Sequence, residues 1–419
     1  MIPRLLWRLV AGSTIGAWIV TAALAQKTLT WADAKQQLLA ANPTLRASRI
    51  EIQQARADEI TANLRPNPDL TVSSDQFNPF TGNPYRPFSD TIQLVEGSYL
   101  IERQHKRRLR LESARKNTAI TVSEQADQER NLVFNLRTAF IQVLQQKAVL
   151  EVTRESLAYY DRVLGVSHDR YDAGDIAAVD LDRLELQRVQ FVTDVQTALV
   201  NLRTAKIQLQ ALLNDRTPVE QLDVSGPFDF AEIVIPLAEL RQNAVDSRPD
   251  LRAAVQVVDK AKTDYRLAIA NGSTDPVIGW DWGREPPFSS FVGASVNIPL
   301  RIFDRNQGEK ARTQLDIGRN ERLVDATRLQ VFSDVDSAYA TLENSLVLLR
   351  PYKARYLQQA ARVRDTISFS YQRGGSSLLD FLQAQQDYRD IQLSYLDLVG
   401  AYLDSVNQLN FAVGREVIP

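Results

Sequence analysis

The sequence predicts a mainly α-helical chain that carries a few membrane strands, with the whole arrangement built twice. Three observations predict it. Apolar residues recur at coiled-coil 4-3 spacing over long runs, from Leu132 to Leu164, Leu181 to Leu212, Val335 to Tyr352 and Phe381 to Leu409. Ahead of these runs stand pairs of segments in which apolar and polar residues alternate, the period of a strand with one apolar face. Finally, blocks of sequence return: RYDAGDIAAVDL from Arg170 matches SYQRGGSSLLDF from Ser370, aligning Tyr171 with Tyr371, Gly174 with Gly374 and Asp180 with Asp380.

The duplication reaches well beyond that stretch. ANPTLRAS near Ala41 corresponds to SRPDLRAA near Ser247 at an offset of 206, whereas Tyr171 and Tyr371 differ by 200. The first half therefore holds about six extra residues between these points, and two Pro-rich turns of unequal length, Asn78–Asp90 and Arg284–Ser290, place them. Self-similarity on this scale means one architecture repeated.

Residues 1–25 read as a secretory signal peptide. Arg4 and Arg8 precede an apolar run that ends in Ala23-Leu24-Ala25, with cleavage expected before Gln26. The chain has no Cys, which excludes an N-terminal lipid anchor, disulfides and thiolate metal sites. A formal net charge of -2 gives no reason to expect nucleic acid. Only 44% of residues are hydrophobic, many of them Ala spread among Gln, Arg and Leu, a composition suited to long amphipathic helices. No segment after residue 25 approaches the ~20 apolar residues of a membrane helix, so any membrane crossing is made by strands.

The first repeat spans 26–214. It opens with a short helix N-capped by Thr30, and a second helix follows Pro43 to about Leu64. Strands are expected at about 67–77 and 91–101, with Leu70 and Val72 on the outgoing apolar face and Ile92, Leu94 and Leu100 on the returning one. Long helices follow at about 103–172 and 178–213. Residues 215–235 form a linker, and the second repeat spans 236–419. Its strands, at about 275–283 and 291–301, put Ile278, Trp280 and Trp282 on one face, answered by Val292, Ala294, Val296, Ile298 and Leu300. Its long helices run over about 305–372 and 377–413, with a kink or short break at Pro351. The longer helix of each pair would measure on the order of 100 Å at 1.5 Å per residue.

Four amphipathic strands cannot close a barrel, and lipid does not tolerate open strand edges. Two copies would supply eight strands, whose side chains fill the interior; three would supply twelve and leave a pore. A trimer meets the requirement for a pore, and would gather the long helices into a second, helical barrel below the strands.

The order helix, hairpin, long coiled-coil pair, twice over behind a signal peptide, resembles the TolC-like outer-membrane efflux family. The twin YxxGxxxxxD motifs, the paired NPTLRA and RPDLRA segments and the strand exit NIPLRIFDRNQGE carry the resemblance, which covers essentially the whole mature chain. It implies a homotrimeric outer-membrane channel with a periplasmic tunnel. That channel would dock through a periplasmic adaptor (membrane fusion) protein onto an inner-membrane pump of the RND or ABC type. It implies passive conduction, with neither enzyme activity nor a cofactor. The same architecture serves type I protein secretion. A periplasmic coiled-coil scaffold would leave the alternating Trp and Val strands unexplained, and a self-sufficient porin would lack the coiled coils.

Gly174 and Gly374 lie between heptad runs, where a tight helix–helix turn needs a backbone that other residues resist. The resemblance makes these turns the tips gripped by the adaptor. Asp180 and Asp380 suit the first turn of the returning helix. The resemblance adds an aperture role: Tyr371 with Asp180 matches a Tyr–Asp link, and Asp380 matches a ring of Asp. Two departures, Gln383 at a second ring position and Ser376 at a gating Arg position, imply a less acidic and more weakly latched aperture. Trp280, Trp282 and Phe288 read as an aromatic belt on the lipid face. RQHKRRLR from Arg103 reads as a solvated basic face or a contact with lipid phosphates. His105 and His168 stand far apart, and nothing resembles a metal site or a catalytic triad.

Overall fold

The computed structural model describes residues 27–77, 80, 84–232 and 235–418. The signal segment 1–25 lies outside the described residues. The first repeat begins with β1 (Lys27–Leu29), α1 (Trp31–Ala41) and α2 (Pro43–Asn63). Thr30 and Asp33 form a reciprocal capping box at the start of α1. Asn42 then accepts from the Thr44 and Leu45 amides, so that α2 can start at Pro43, where a missing N–H costs nothing. Next come β2 (Asp69–Asp75) and β3 (Ile92–Leu100), then α3 (Lys106–Asp172) and α4 (Ala178–Leu213).

Part of the linker is ordered as strand: β4 (Leu222–Val224) pairs in parallel with β1. The second repeat repeats the order as α5 (Leu237–Ser247), α6 (Pro249–Asn271), β5 (Val277–Arg284) and β6 (Ser290–Asn297). It continues as α7 (Gln307–Pro351), a π-helical turn (Tyr352–Tyr356), α8 (Leu357–Gln372) and α9 (Leu378–Val413). Ile298 and Leu300, expected within the last strand, lie beyond its end. Pro351 does not break its helix. Its ring cannot sit against the preceding turn of a regular α-helix, and the wider π turn that follows absorbs the misfit.

The membrane strands form one antiparallel sheet in the order β2-β3-β5-β6. Register places Val72, Val95, Trp282 and Val292 side by side, and Leu70, Gly97, Trp280 and Ala294 beside them. One face is therefore apolar through these rows and ends, towards the strand-connecting turns, in a polar row of Ser74, Gln93, Arg284 and Ser290. The opposite face carries Thr71 and Ser73, Glu96 and Ser98, Asp281 and Ser295. This corrects one expectation. Ile92, Leu94 and Leu100 lie on the second face, and β3 presents Val95, Gly97 and Tyr99 to the first. IQLVEGSYL is partly apolar in both frames, and only pairing with β2 and β5 decides between them. Gly97 is required here, because a Cβ would come within 2.5 Å of the Trp280 indole laid across it.

Among the described residues three larger cores and a small one of Leu150, Val195 and Ala198 run down the helical part. In the first repeat Leu136, Phe140 and Leu209 meet Leu38 of α1 and Val224 of β4. In the second, Val335, Leu342 and Leu409 meet Leu240 and Leu251. A third core lies near the two hairpin turns and joins the repeats: Tyr160, Leu184 and Phe191 pack with Tyr371 and Phe381.

Candidate functional site: hairpin tips and strand face

Both helical hairpins turn on a glycine in the left-handed region, Gly174 at φ 81° and Gly374 at φ 77°. In the first turn the Gly174 amide donates to the Tyr171 carbonyl and the Asp175 amide to Arg170. In the second, Gly374 donates to Tyr371 and Gly375 to Ser370, the same closure of orphan carbonyls. Asp180 and Asp380 both sit in the first turn of the returning helix. Asp380 completes a capping box with Ser377, whose Oγ accepts from the Asp380 amide at 3.2 Å and donates to its carboxylate at 2.7 Å. Asp180 has no such partner, since its N-cap is Ala177; its carboxylate is 3.9 Å from Arg183.

Tyr371 and Tyr171 occupy different worlds. Tyr371 is 5% exposed and stacks on Phe381 with ring centroids 4.9 Å apart, while Tyr171 is 42% exposed. Arg170 of the first hairpin donates to the Tyr371 carbonyl at 2.8 Å, with its guanidinium 5.5 Å from the ring. The Tyr371 hydroxyl is buried with no hydrogen-bond partner among the described residues, so nothing within this chain links it to Asp180. Neighbouring Tyr160 does find a partner, donating to the Leu184 carbonyl at 3.0 Å, and burial raises its pKa. Gln383 donates to Asp387 one turn on, at 2.7 Å. Val179 and Leu379, equivalent positions on the two returning helices, are exposed. Sequence reasoning missed this apolar pair; the signal was an apolar residue off the heptad beside each glycine turn.

On the sheet, Trp280 and Trp282 share the apolar face, and Phe288 stands exposed in the turn beyond β5. Of the basic stretch after β3, Arg103, His105 and Arg108 are exposed, as a solvated face would be, and one residue turns inward. Lys106 is buried, bonded to the Ser273 carbonyl at 3.0 Å and to Asp275, and the Arg103 amide donates to Asp275 at 2.8 Å. It thereby ties the base of β3 to the base of β5. His105 starts α3 with φ 58°, and His168 lies 3.4 Å from Glu185 across the first hairpin. Among the described residues no three His, Cys, Asp or Glu side chains gather as a metal would need, and no helix is long and apolar enough to cross a membrane.

A family model, that of the outer membrane efflux proteins, matches residues 34–215 and 285–415, most of both repeats. The chain belongs to that family. The cobalt-zinc-cadmium resistance protein CzcC of Cupriavidus metallidurans is 23% identical over 348 residues, covering 82% of this chain and 80% of its own. Outer membrane protein TolC of Escherichia coli is 21% identical, covering 83% and 75%. Among solved structures, CusC superposes with a TM-score of 0.77 at 18% identity, covering 92% of each chain. The open state of the Neisseria gonorrhoeae MtrE outer membrane channel reaches 0.74 at 16% identity, covering 100% and 98%. This efflux protein is an outer-membrane channel of a tripartite efflux system, with its helical tunnel in the periplasm.

Proposed function

We propose that three copies of this chain close a twelve-stranded barrel, that the hairpin tips dock an adaptor joined to an inner-membrane pump, and that substrate passes through passively. The sheet carries the reading. Its four strands expose one continuous apolar face, with Leu70, Val72, Val292 and Val296 all more than 60% exposed. Its β2 and β6 edges are unpaired among the described residues. Such edges are costly in hydrocarbon, and edge-to-edge closure with further copies removes them. Trp280, Trp282 and Phe288 then form the aromatic belt at the lipid boundary, and Glu96 and Asp281 face the pore.

Below, the Gly174 and Gly374 turns present Val179 and Leu379 as apolar anchors for the adaptor. Asp180, Tyr371 and Asp380 stand at the aperture where the tips of three chains would converge. In this reading Tyr371, whose buried hydroxyl is unpartnered among the described residues, would link to a neighbouring chain's Asp180 once the tips rearrange on assembly, and Asp380 would form a threefold ring. The test is extraction of the membrane-inserted protein with mild detergent, mass by light scattering, and conductance in planar bilayers. A trimer whose cation block changes in Asp380→Ala is expected. A soluble periplasmic monomer would sink the channel reading, and unaltered block would remove the Asp380 ring.

A further inference from the structure

A cleft of about 760 Å³ runs beneath the linker, where the stretch from Ser225 to Ala231 crosses helices of both repeats. Its floor is apolar, built by Phe140, Ile141 and Leu144 of α3 and by Leu403 and Val406 of α9. The two helices run antiparallel here. Asn407 of α9 donates to Thr138 of α3 at 3.0 Å, and Gln145 of α3 donates to Asp397 of α9 at 2.9 Å. Among the described residues two charged side chains line the cleft: Arg137, level with Asn407, and Asp229, which Tyr395 reaches at 3.4 Å. Those levels differ by roughly 18 Å along α9, at 1.5 Å per residue, so the charges mark opposite ends of the cleft.

The two ends differ in what answers the charge. Lys353 bonds Asp229 at 2.6 Å. Arg137 has no such partner. Its guanidinium lies 4.5 Å from the centre of the Trp31 ring and makes no hydrogen bond or ion pair among the described residues, yet none of its nitrogens is sealed from solvent. Trp31 and Arg137 also line a second cavity, of about 270 Å³, and so form the partition between the two. That smaller cavity is polar and carries more cations than acids, with Lys35, Arg130 and Arg415 beside Glu129 and Glu416. Burial holds the Arg137 guanidinium below its ordinary pKa, and the charge of Glu416 only partly offsets it. A guanidinium stacked on a ring keeps the N–H edge of its plane for an acceptor, and this one lacks it beside an apolar space large enough for a ligand.

We propose that this cleft binds a fatty carboxylate, with the carboxylate on Arg137 at the Trp31 partition and the tail on the apolar floor beneath the linker. The head accepts from the free guanidinium edge, and the tail covers Ile141, Leu144 and Val406. An alcohol of the same length lacks the charge that Arg137 answers, and an alkylammonium carries the wrong one. A bound tail would also steady the linker, whose Asp229 holds Lys353 in the π turn. The site is independent of the barrel, the tips and the pump, so its failure would leave the channel reading untouched.

Photolabelling tests it. The full chain, reconstituted in phospholipid vesicles, is irradiated with a dodecanoate that carries a diazirine at the far end of its tail, and the labelled peptides are identified by mass spectrometry. Saturable labelling is expected in stretches 140–144, 225–231 and 402–406. Plain dodecanoate should compete at concentrations about tenfold below those needed with dodecanol or dodecylammonium. Arg137→Gln removes a cation that no residue of the chain pairs, so it should fold and weaken labelling about tenfold, while Arg137→Lys, which keeps the charge, should weaken it less. Amide exchange over 225–231 should slow with dodecanoate in the wild type and not in Arg137→Gln. No saturable label in those stretches, as when a neighbouring chain fills the cleft, would overturn the proposal. So would equal competition by dodecanol, or labelling unchanged in Arg137→Gln.

Discussion

The two repeats share one plan and differ where they are built to behave differently. The descending helix of the first, α3, runs unbroken from Lys106 to Asp172. That of the second passes through Pro351 and a π turn, and the linker grips it there. Arg350, just ahead of the turn, and Lys353, within it, bond Glu232 at 3.0 Å and Asp229 at 2.6 Å. Tyr402 adds a bond to the Ala231 carbonyl at 2.6 Å. The entry to the second helix differs too: where α2 is capped by Asn42, α6 has Arg248 in the same place. Near the tips, Leu181 of the first repeat corresponds to Phe381, which gives Tyr371 a ring to stack on and leaves Tyr171 without one. The first hairpin is thus a rigid strut, and the second is the one with a weak point, a clamp and an inserted tyrosine.

The largest asymmetry to break is at the helix entries. The Arg248 side chain is 5% exposed and held by Asp250 and Asp334 at 2.6 and 2.8 Å, with a further bond to the Ala412 carbonyl at 3.2 Å. Arg248→Ala leaves partly buried Asp250 with only Arg130, 3.7 Å away, as a cation and should cost about 3 kcal/mol, against about 1 kcal/mol for Asn42→Ala, which loses a cap. Thermal unfolding of the solubilised protein measures both. The pH dependence has a definite sign. Burial pushes the Asp250 carboxyl up, but Arg248 outweighs it and holds the carboxyl below its ordinary value of 3.8. Its stabilisation is therefore complete above about pH 4 and lost as pH falls through the lowered folded value. In Arg248→Ala the deficit should shrink on acidification, because protonating Asp250 removes a partly buried charge that only Arg130 still compensates. A deficit independent of pH would mean that packing, not charge, fills this position.

The tyrosine pair comes next. Tyr371→Ala should open a cavity in the core that joins the hairpins and cost about 3 kcal/mol locally, whereas Tyr171→Ala should cost less than about 1 kcal/mol. Amide exchange in the first turns of α4 and α9 separates the two, and equal effects would refute the asymmetry. Tyr371→Phe sharpens it: deleting an unpartnered buried hydroxyl should leave the isolated hairpin as stable or more so. A loss of aperture closure in that variant would then report a bond made only between chains.

Much of this was legible beforehand, and what was not has physical reasons. Heptad positions such as Leu136, Leu209 and Leu342 are core residues because a 3.5-residue period admits only one buried stripe. The strand frame of β5 was plain because Trp280 and Trp282 alternate with Gly and Asp; that of β3 was not, because Leu94 and Val95 are both apolar. At the tips, Gly174 and Gly374 announce their turns, but identical Tyr residues at 171 and 371 hide opposite burial that only the packing of Phe381 and Arg170 decides. The grip of Asp229 and Glu232 on the π turn has no periodicity at all, since it depends on where a loop lies across a helix.

A smaller effect tests the hinge. Position 351 corresponds to Glu151 in α3, where the helix is regular. Pro351→Ala restores an N–H and removes the ring that a regular turn excludes, so the π turn should relax towards α. The gain is expected at about 1 kcal/mol, below the full cost of an interior proline, because the native π turn and the linker contacts already accommodate it. Slower amide exchange over 347–356 would show it, while the corresponding 147–156 stretch stays unchanged. If exchange quickens instead, the π turn is held by the linker rather than imposed by Pro351, and Lys353→Ala should then quicken it further.

The smallest expected effect concerns the caps of the returning helices. Ser377 and Asp380 share a reciprocal box that Ala177 and Asp180 cannot form, although Asp180 stands at the same distance from its N-cap. Ala177→Ser supplies the missing hydroxyl and should steady the start of α4 by about 0.5–1 kcal/mol; Ser377→Ala should loosen α9 by a similar amount. Exchange of the Asp180 and Asp380 amides reads both directly. If Ala177→Ser stabilises the turn yet weakens adaptor binding, the looser first tip is part of how the partner is received. If binding is unaffected, the exposed Val179 and Leu379 carry the contact, and the uncapped turn is only a difference in local stability.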